Sequence, residues 1–420
     1  MNNERRRVVI TGLGPVASMG EGVDAFWEGL LREKGGVGRL TRFDPAPFHA
    51  KGAAEIFNFD PLRYISTQRL KRMDRHSQLS VASALLALQD AGISWDPGQP
   101  RQDTGISLGT ALGGISDAEE QHEKFLSEGM RRVRRSLAMQ IFGGAGHSNV
   151  AIECGFQGPA TTNSNSCASG AVAIGDALQW IRYGWVDRVV AGGAEAPLSP
   201  LTFGAFDVIR TMSRAEDPST AYRPFDRRRD GFVMGEGAAC LMLEEYGSAR
   251  RRNARIYAEV MGYALSNDAY HMTSPRPDGD PVTGTIRKAL EDAGVHPDEI
   301  DYINAHASAT PMNDANEVAC LHRVFGDRLR DIPVSGTKPY MGHTLGAAGA
   351  LEAVICALSI KHGYVPPTLH CEELDPACDI DFVPRGRRQE VRRVLSNSFG
   401  FGGINACLVF GKVEDALSEY

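Results

Sequence analysis

The stretch NSNSCASGAVAIGDALQW, residues 163–180, decides how this chain is read. Four residues that cap helices and end strands precede Cys167. Ala168, Ser169, Gly170 and Ala171, which hardly fill space, follow it. Cys167, Ala171, Ile174 and Leu178 fall at i, i+4, i+7 and i+11, the stripe of a helix with one buried face. Asn165 and Ser166 are capping types, so the spacing predicts the Cys167 sulfur in the first turn of that helix. A thiolate there meets unpaired N–H groups and the positive end of the helix dipole, which predicts a thiol pKa drawn from about 8.5 toward neutrality. The competing reading is an inert core thiol, since free cysteine is among the most buried residue types.

Outward from this stretch the pattern is strand, helix, strand, repeated. RVVITGLG (7–14) is a β-branched run ending in glycines, SQLSVASALLALQDAG (77–92) has helical spacing with a glycine stop, and TGISLGTALGG (104–114) and RVVAGGAEA (188–196) are buried strands opening into glycine loops. After residue 250 the series restarts, through TIRKALEDAGV, DYINAHASAT and PVSGTKPYMGHTLGAAGALEAVICALSIK. Alternation of this kind predicts an α/β fold with helices packed on sheets. GHTLGAAGALEAVICAL (342–358) echoes SCASGAVAIGDAL (166–178), which predicts duplication into residues 1–250, carrying the cysteine, and residues 251–420. Alanine and glycine let two such helices pack backbone to backbone in a core.

At 420 residues, 42% hydrophobic and 23% charged, the chain has the composition of an ordinary globular protein large enough for two domains. A net charge of −7 argues against general nucleic-acid affinity, because a phosphate-binding surface drives a domain basic. No apolar run reads as the roughly 18 residues of a membrane span, and MNNERRRVVITG lacks the apolar centre of a secretion signal, so a cytoplasmic protein without membrane partners is expected. Eight scattered cysteines without a Cys-x-x-Cys pair fit reduced thiols better than disulfides or a zinc site. VVITGLGPVA lacks the third glycine of a dinucleotide loop.

Two further segments carry chemistry. INAHASATPMND (303–314) delivers His306 from a strand end to a loop, and VSGTKPYMGHTLGAAG (334–349) does the same for Lys338 and His343. A lone histidine at a strand end is usually structural. Two at matching positions, in the half that mirrors the cysteine half, point to a site. SNSFGFGGINA (396–406) sets Phe399 and Phe401 among glycines, where backbone N–H groups and a mobile ring can approach a substrate.

With these segments in view, nearly the whole chain, from RVVITGLG to CLVFGK, resembles the β-ketoacyl-acyl carrier protein synthases of the elongating, synthase II type. FDRRRDGFVMGEGA (225–238), SNDAYHMTSP (266–275) and the order Cys, His, Lys-x-x-x-x-His, Phe-Gly-Phe-Gly-Gly carry the resemblance. It implies the thiolase fold, a duplicated five-layer α-β-α-β-α architecture. It implies Cys167 as the acyl-accepting nucleophile, His306 and His343 as the pair holding a malonyl thioester carbonyl, and Lys338 behind them with Glu352 as ion partner. It further implies Phe401, with Phe399 and Asp268, as gate and oxyanion hole together with the Cys167 N–H, and His271 in the loop that moves with the gate. Leu112 and Phe206 match the acyl pocket, and Ser308, Thr310 and Thr273 match pantetheine contacts. Lys71, Arg72, Arg131, Arg132 and Arg210 match carrier-docking positions. A His–His rather than His–Asn pair, and no cysteine in FGFGG, favour the elongating class over starter enzymes and thiolases; Cys407 reads as core.

The resemblance implies decarboxylative condensation of malonyl-carrier with an acyl chain on Cys167, no metal or redox cofactor, and an acyl carrier protein as partner. A homodimer is expected; the alternative is the active half of a heterodimer with a chain-length-factor-like subunit, and a thiolase-like acyl-coenzyme A enzyme is a third reading. Ala307, where the family has glycine, and Pro339-Tyr340-Met341 depart from the pattern.

Overall fold

The computed structural model describes residues 5–414. β1 (Val8–Ala17), β2 (Thr104–Gly109), β3 (Ala160–Asn163), β4 (Arg188–Glu195) and β5 (Gly237–Glu245) lie in the order β3-β2-β4-β5-β1. β6 (Ala258–Asn267), β7 (Tyr302–Asn304), β8 (Pro333–Ser335), β9 (Arg393–Gly400) and β10 (Ile404–Gly411) lie in the order β8-β7-β9-β10-β6. The directions repeat as well. β1/β5 and β5/β4 are antiparallel while β4/β2 and β2/β3 are parallel, and β6/β10, β10/β9, β9/β7 and β7/β8 follow the same sequence. Val9 and Ile10 pair with Glu259 and Ala258, stitching the two sets into one twelve-stranded sheet that includes short strands at 20–21 and 381–382.

Each set's first three strands lead to a principal helix. These are α1 (Arg75–Asp90), α2 (Ala145–Cys154) and α3 (Ser169–Arg182), then α4 (Asp280–Ala293), α5 (Pro311–Phe325) and α6 (Ala348–His362). α1 and α2 cover one outer face, α4 and α5 the other, and α3 and α6 fill the middle, giving the five layers. Strand residues alternate between cores: Val189 of β4 belongs to the central cluster and its neighbour Val190 to the outer one. Burial on both faces is why these strands read as unbroken apolar runs rather than alternating ones.

The predicted stripe on α3 is buried throughout, with Cys167 at 7% exposure and Ala171, Ile174 and Leu178 at 1% or less. Gly170 and Gly349 are its reason for existing. A Cβ on Gly170 would sit 2.8 Å from the Ala350 nitrogen, and one on Gly349 would sit 2.8 Å from the Ala171 nitrogen. One expectation is corrected here. Leu345–His362 is long and apolar enough to cross a membrane by length and composition, but 89% of it is buried inside the protein. It is a core helix, apolar all round because protein surrounds it.

Gly349→Ala tests this contact. Helix propensity alone favours alanine by about 1 kcal/mol, yet the added methyl overpacks the helix crossing, so a net loss of about 1–3 kcal/mol is expected in urea unfolding. A more stable variant would mean that the two helices have room to spare.

Candidate active site

Cys167 is the middle residue of a one-turn 3-10 segment, Ser166–Ala168, that leads into α3. The sequence reading placed it inside the α-helix and capped it; neither holds. Asn165 donates its amide to Asn163 Oδ1 (3.0 Å), the Ser166 hydroxyl lies 3.8 Å from the Cys167 sulfur, and Ser166 takes a left-handed φ of 52°. The sharp left-handed turn carries the chain from β3 into α3 within a few residues and leaves no cap geometry. The expected fall in thiol pKa is also reversed. Burial pushes the Cys167 thiol up to about 11, against the Ser166 hydroxyl, the Lys338 charge and the Phe401 N–H, which favour the thiolate. Desolvation outweighs what its neighbours return, so the resting group is a thiol.

His306 follows β7 by two residues, in a loop fixed by buried carboxylates. Its N–H and that of Ala307 donate to Glu317 (both 2.9 Å), Asn397 donates to Glu317 Oε1 (3.0 Å), and the Ala309 N–H donates to Asp314 (3.0 Å). Ala307 and Ala309 have φ of 44° and 60°, a region that costs an L-residue roughly 1–2 kcal/mol. The methyl that departs from the family pattern faces Gly336, where a second Cβ would approach to 2.5 Å. His343 is placed by the FVMGEG segment: its N–H donates to Val233 O (2.7 Å), its carbonyl accepts from the Gly235 N–H (3.0 Å), and the Phe232 ring stands edge-on at 5.2 Å. The His306 and His343 ring centres are 5.6 Å apart.

Lys338 is fully buried behind them. Its ammonium donates to Glu352 Oε1 (2.5 Å) and to the His306 carbonyl, and it lies 3.4 Å from His306 Nδ1. An ammonium only donates, so Nδ1 accepts and Nε2 carries the hydrogen. Burial, then the Lys338 charge, holds both histidines well below the usual imidazole range, so both are neutral. Burial pushes the Glu352 and Glu317 carboxyls up to about 7.

The gate segment closes the site. The Phe401 N–H lies by the Cys167 sulfur and favours its thiolate, and a Cβ on Gly400 would lie 3.2 Å from the Cys167 nitrogen, so the two N–H groups of the expected oxyanion hole are neighbours. Phe401 stacks on Phe206 (6.2 Å) and Phe399 leans on His306 (5.6 Å). The 267–276 loop is tied to this segment: Gly402 N–H to Met272 O (2.7 Å), Asp268 N–H to Gly403 O (2.7 Å), and Asn405 to Asp268 Oδ1 (2.7 Å). His271 Nδ1 accepts from the Thr273 and Ser274 N–H groups (both 3.1 Å), bracing the turn.

Cys167, His306, His343, Phe399 and Phe401 line one cavity of about 300 Å³. Phe206, Asp268, Thr273, Ser308, Thr310 and Arg210 line it as well. Leu112 is not brought to it. The Leu112 N–H donates to Glu195 Oε1 (3.2 Å), and the residue is half-buried outside this cavity's lining. Lys71, Arg72, Arg131 and Arg132 are exposed and away from the cavity, and Arg132 pairs with Glu128 at 2.9 Å. The sequence reading missed Glu317, Asp314 and Arg229, the last buried and donating to Asp375 (2.6 Å) and Pro311 O (2.8 Å). For Asp314 and Glu317 the only trace in the sequence is two acidic residues three apart on the helix after the histidine loop; nothing local marks Arg229.

Residues 5–249 match the family "Beta-ketoacyl synthase, N-terminal domain" and residues 257–372 match "Beta-ketoacyl synthase, C-terminal domain". The chain is 40% identical to 3-oxoacyl-[acyl-carrier-protein] synthase 2 of Coxiella burnetii over 98% of its length and 100% of the relative's, and 39% identical to the synthase 2 of Synechocystis over the same shares. Among solved structures it is similar to the ishigamide ketosynthase/chain length factor (TM-score 0.92, 39% identity, 98% of this chain and 100% of that one). It is also similar to a beta-ketoacyl synthase from Burkholderia phymatum (TM-score 0.90, 35% identity, 97% and 100%). A type II polyketide ketosynthase, solved with its acyl-carrier protein and bound to the hexaketide, gives a TM-score of 0.89 at 34% identity over 98% and 100% of the two chains. Fold and site define a thiolase-fold condensing enzyme. The chain belongs to the beta-ketoacyl synthase family.

With the thiol pKa raised, the thiolate fraction grows as pH rises toward that value. Iodoacetamide alkylation of Cys167 in the substrate-free protein is therefore expected to accelerate about tenfold per pH unit from pH 7 to 10. A plateau reached by pH 8 would show a sulfur already ionised.

Proposed function

We propose that the chain extends acyl chains on a carrier protein by decarboxylative Claisen condensation, the activity of a 3-oxoacyl-[acyl-carrier-protein] synthase, in fatty-acid or polyketide synthesis. The observation that carries this reading is the meeting of Cys167, two neutral histidines and the Phe401 N–H in one buried cavity.

The reaction runs in two halves. Cys167 sulfur attacks the acyl-carrier thioester, the carbonyl oxygen rests on the N–H groups of Cys167 and Phe401, the carrier thiolate leaves, and the cysteine proton ends on it. A malonyl-carrier then enters by the channel bounded by Thr273, Ser308 and Thr310. Its thioester carbonyl accepts from His306 Nε2–H and from an imidazole N–H of His343. Loss of CO2 places the C–C bond electrons in an enolate, which those two donors stabilise in a chamber where water does not compete. The enolate carbon attacks the acyl-Cys167 carbonyl and the Cys167 thiolate departs, to be reprotonated for the next round. Lys338 and Glu352 orient His306 from behind. The thioesters supply the activation, so the chemistry calls for neither a metal nor a redox cofactor.

A carrier protein fits as partner because a solved relative holds one; Arg210 at the cavity, with Lys71, Arg72, Arg131 and Arg132, offers charge to steer an acidic domain. A second copy of the chain fits the free edge of β3 and the exposed Leu126, Met130, Met139 and Phe142. The second reading, an active half paired with a chain-length-factor subunit, is favoured by the likeness to the ishigamide pair. Light scattering of the protein expressed alone separates them: a dimer supports the homodimer, a monomer that associates only with such a subunit supports the pair.

Mass spectrometry after exposure to acyl-carrier is expected to show one acyl adduct, at Cys167, absent from Cys167→Ala. His343→Ala is expected to keep that adduct and lose roughly 10²–10³ of the condensation rate. Equal loss of both steps would remove His343 from its malonyl role, and an adduct at another residue would overturn the reading.

A further inference from the structure

Glu195, the last residue of β4, is fully buried, and the condensing reaction makes no use of it. Its two oxygens collect four donors. Oε1 accepts from the Thr110 hydroxyl (3.0 Å) and the Leu112 N–H (3.2 Å); Oε2 accepts from the N–H groups of Ala111 (2.6 Å) and Gly346 (3.0 Å). Thr110 and Leu112 belong to the loop after β2, whereas Gly346 lies three residues beyond His343. One carboxylate thus bridges the two halves of the chain at the site's inner wall.

The duplication shows what kind of place this is. The turns that precede α3 and α6, Ser166–Ala168 and Leu345–Ala347, are counterparts. Each begins with a left-handed residue, Ser166 (φ 52°) and Leu345 (φ 43°), and their middle residues are Cys167 and Gly346. β4 and β9 are counterparts too. The end of β9 brings the Phe401 N–H to Cys167, and the end of β4 brings the Glu195 carboxylate to Gly346. Where the active half leaves an opening lined with N–H donors for a passing oxyanion, the mirrored half seats a side-chain carboxyl on the N–H groups of Ala111 and Gly346. A Cβ on Gly346 would lie 2.6 Å from Glu195 Oε2 and 2.4 Å from the Ala111 nitrogen, so this turn is shaped to the carboxylate.

We propose that Glu195 is a positioning residue that clamps the Thr110–Leu112 loop, whose Leu112 the family resemblance assigns to the acyl pocket, to the turn following His343, so that this loop and the histidine that holds malonyl are set as one unit. This rests on the condensing reaction assigned to Cys167 and the two histidines. Leu345, between His343 and Gly346, lines the cavity, so a shift of this turn reaches the substrate directly. A shift of an ångström at reacting groups costs on the order of 10²-fold in rate.

Glu195→Gln keeps the shape and removes the charge. An amide has one acceptor oxygen, so it can take one of the two donor pairs, and in either orientation its NH2 group is left facing at least one N–H donor. The parent protein is assayed first: if it fails to condense malonyl-carrier with acyl-carrier, the functional reading falls and the clamp with it. Given an active parent, Glu195→Gln is expected to acylate Cys167 within threefold of the parent rate, to lose at least tenfold in condensation kcat with little change in KM for malonyl-carrier, and to shift the distribution of product chain lengths. Thr110→Val, which leaves the carboxylate but removes one of its donors together with the acceptor of the Gly113 N–H (2.9 Å), is expected to move both readouts the same way by a smaller factor, and it decides the question should Glu195→Gln not fold. Glu244→Gln is the control, a carboxylate equally buried on adjacent β5 but held by Arg188 and Arg252 at the other end. It is expected to lower thermal stability and leave the product distribution alone. An unchanged distribution in Glu195→Gln and Thr110→Val, or the same change in Glu244→Gln, overturns the clamp and leaves the condensing reaction standing.

Discussion

The contact on which this protein depends is the crossing of α3 and α6, where Gly170 and Gly349 each press against the other helix's backbone. Two helices that approach this closely bring their leading turns to the same place. Those turns carry the nucleophile from one half and the His343 segment from the other, which is why residues 176 positions apart in the sequence share one chamber. The sheets supply the rest: the loops that follow β3, β7 and β8 bring Cys167, His306 and His343 to one cavity.

Burial acts on the reactive groups in opposite senses and reaches one result. It raises the sulfur's pKa and lowers those of the imidazoles, so that all three rest uncharged. The charge that remains, the Lys338–Glu352 pair, is compensated internally, and the ammonium is already committed to the His306 carbonyl and Nδ1. A buried pair of this sort is weak evidence for stability. Its visible effect is geometric, fixing the His306 ring and its tautomer. The chamber therefore stays electrically quiet until a thioester brings an oxygen on which charge can develop.

Much of this was legible in the chain itself. The small-residue helix after Cys167, its echo at 342–358, and the histidines at two strand ends pointed to an α/β fold with an internal repeat and to residues that the structure brings to one cavity, because each is a local pattern with a long-range reason. What escaped was tertiary. Whether Cys167 ionises depends on desolvation by the opposite half, which no capping residue reveals. Leu112 meets Glu195, an acidic residue closing an apolar strand eighty-three positions away. Glu317 and Asp314 read as an ordinary helix surface until the loop they hold is known. The apolar stretch at 345–362 is hidden for a related reason: glycines and alanines dilute an apolar run that lies almost wholly inside the protein.

The mirrored turn at Gly346 gives the duplication a further meaning. The two like halves each enter their central helix through a turn of the same shape, Ser166–Ala168 and Leu345–Ala347. Seating a carboxyl of the chain's own against the second turn leaves only the first free for an outside guest, an asymmetry set by one side chain.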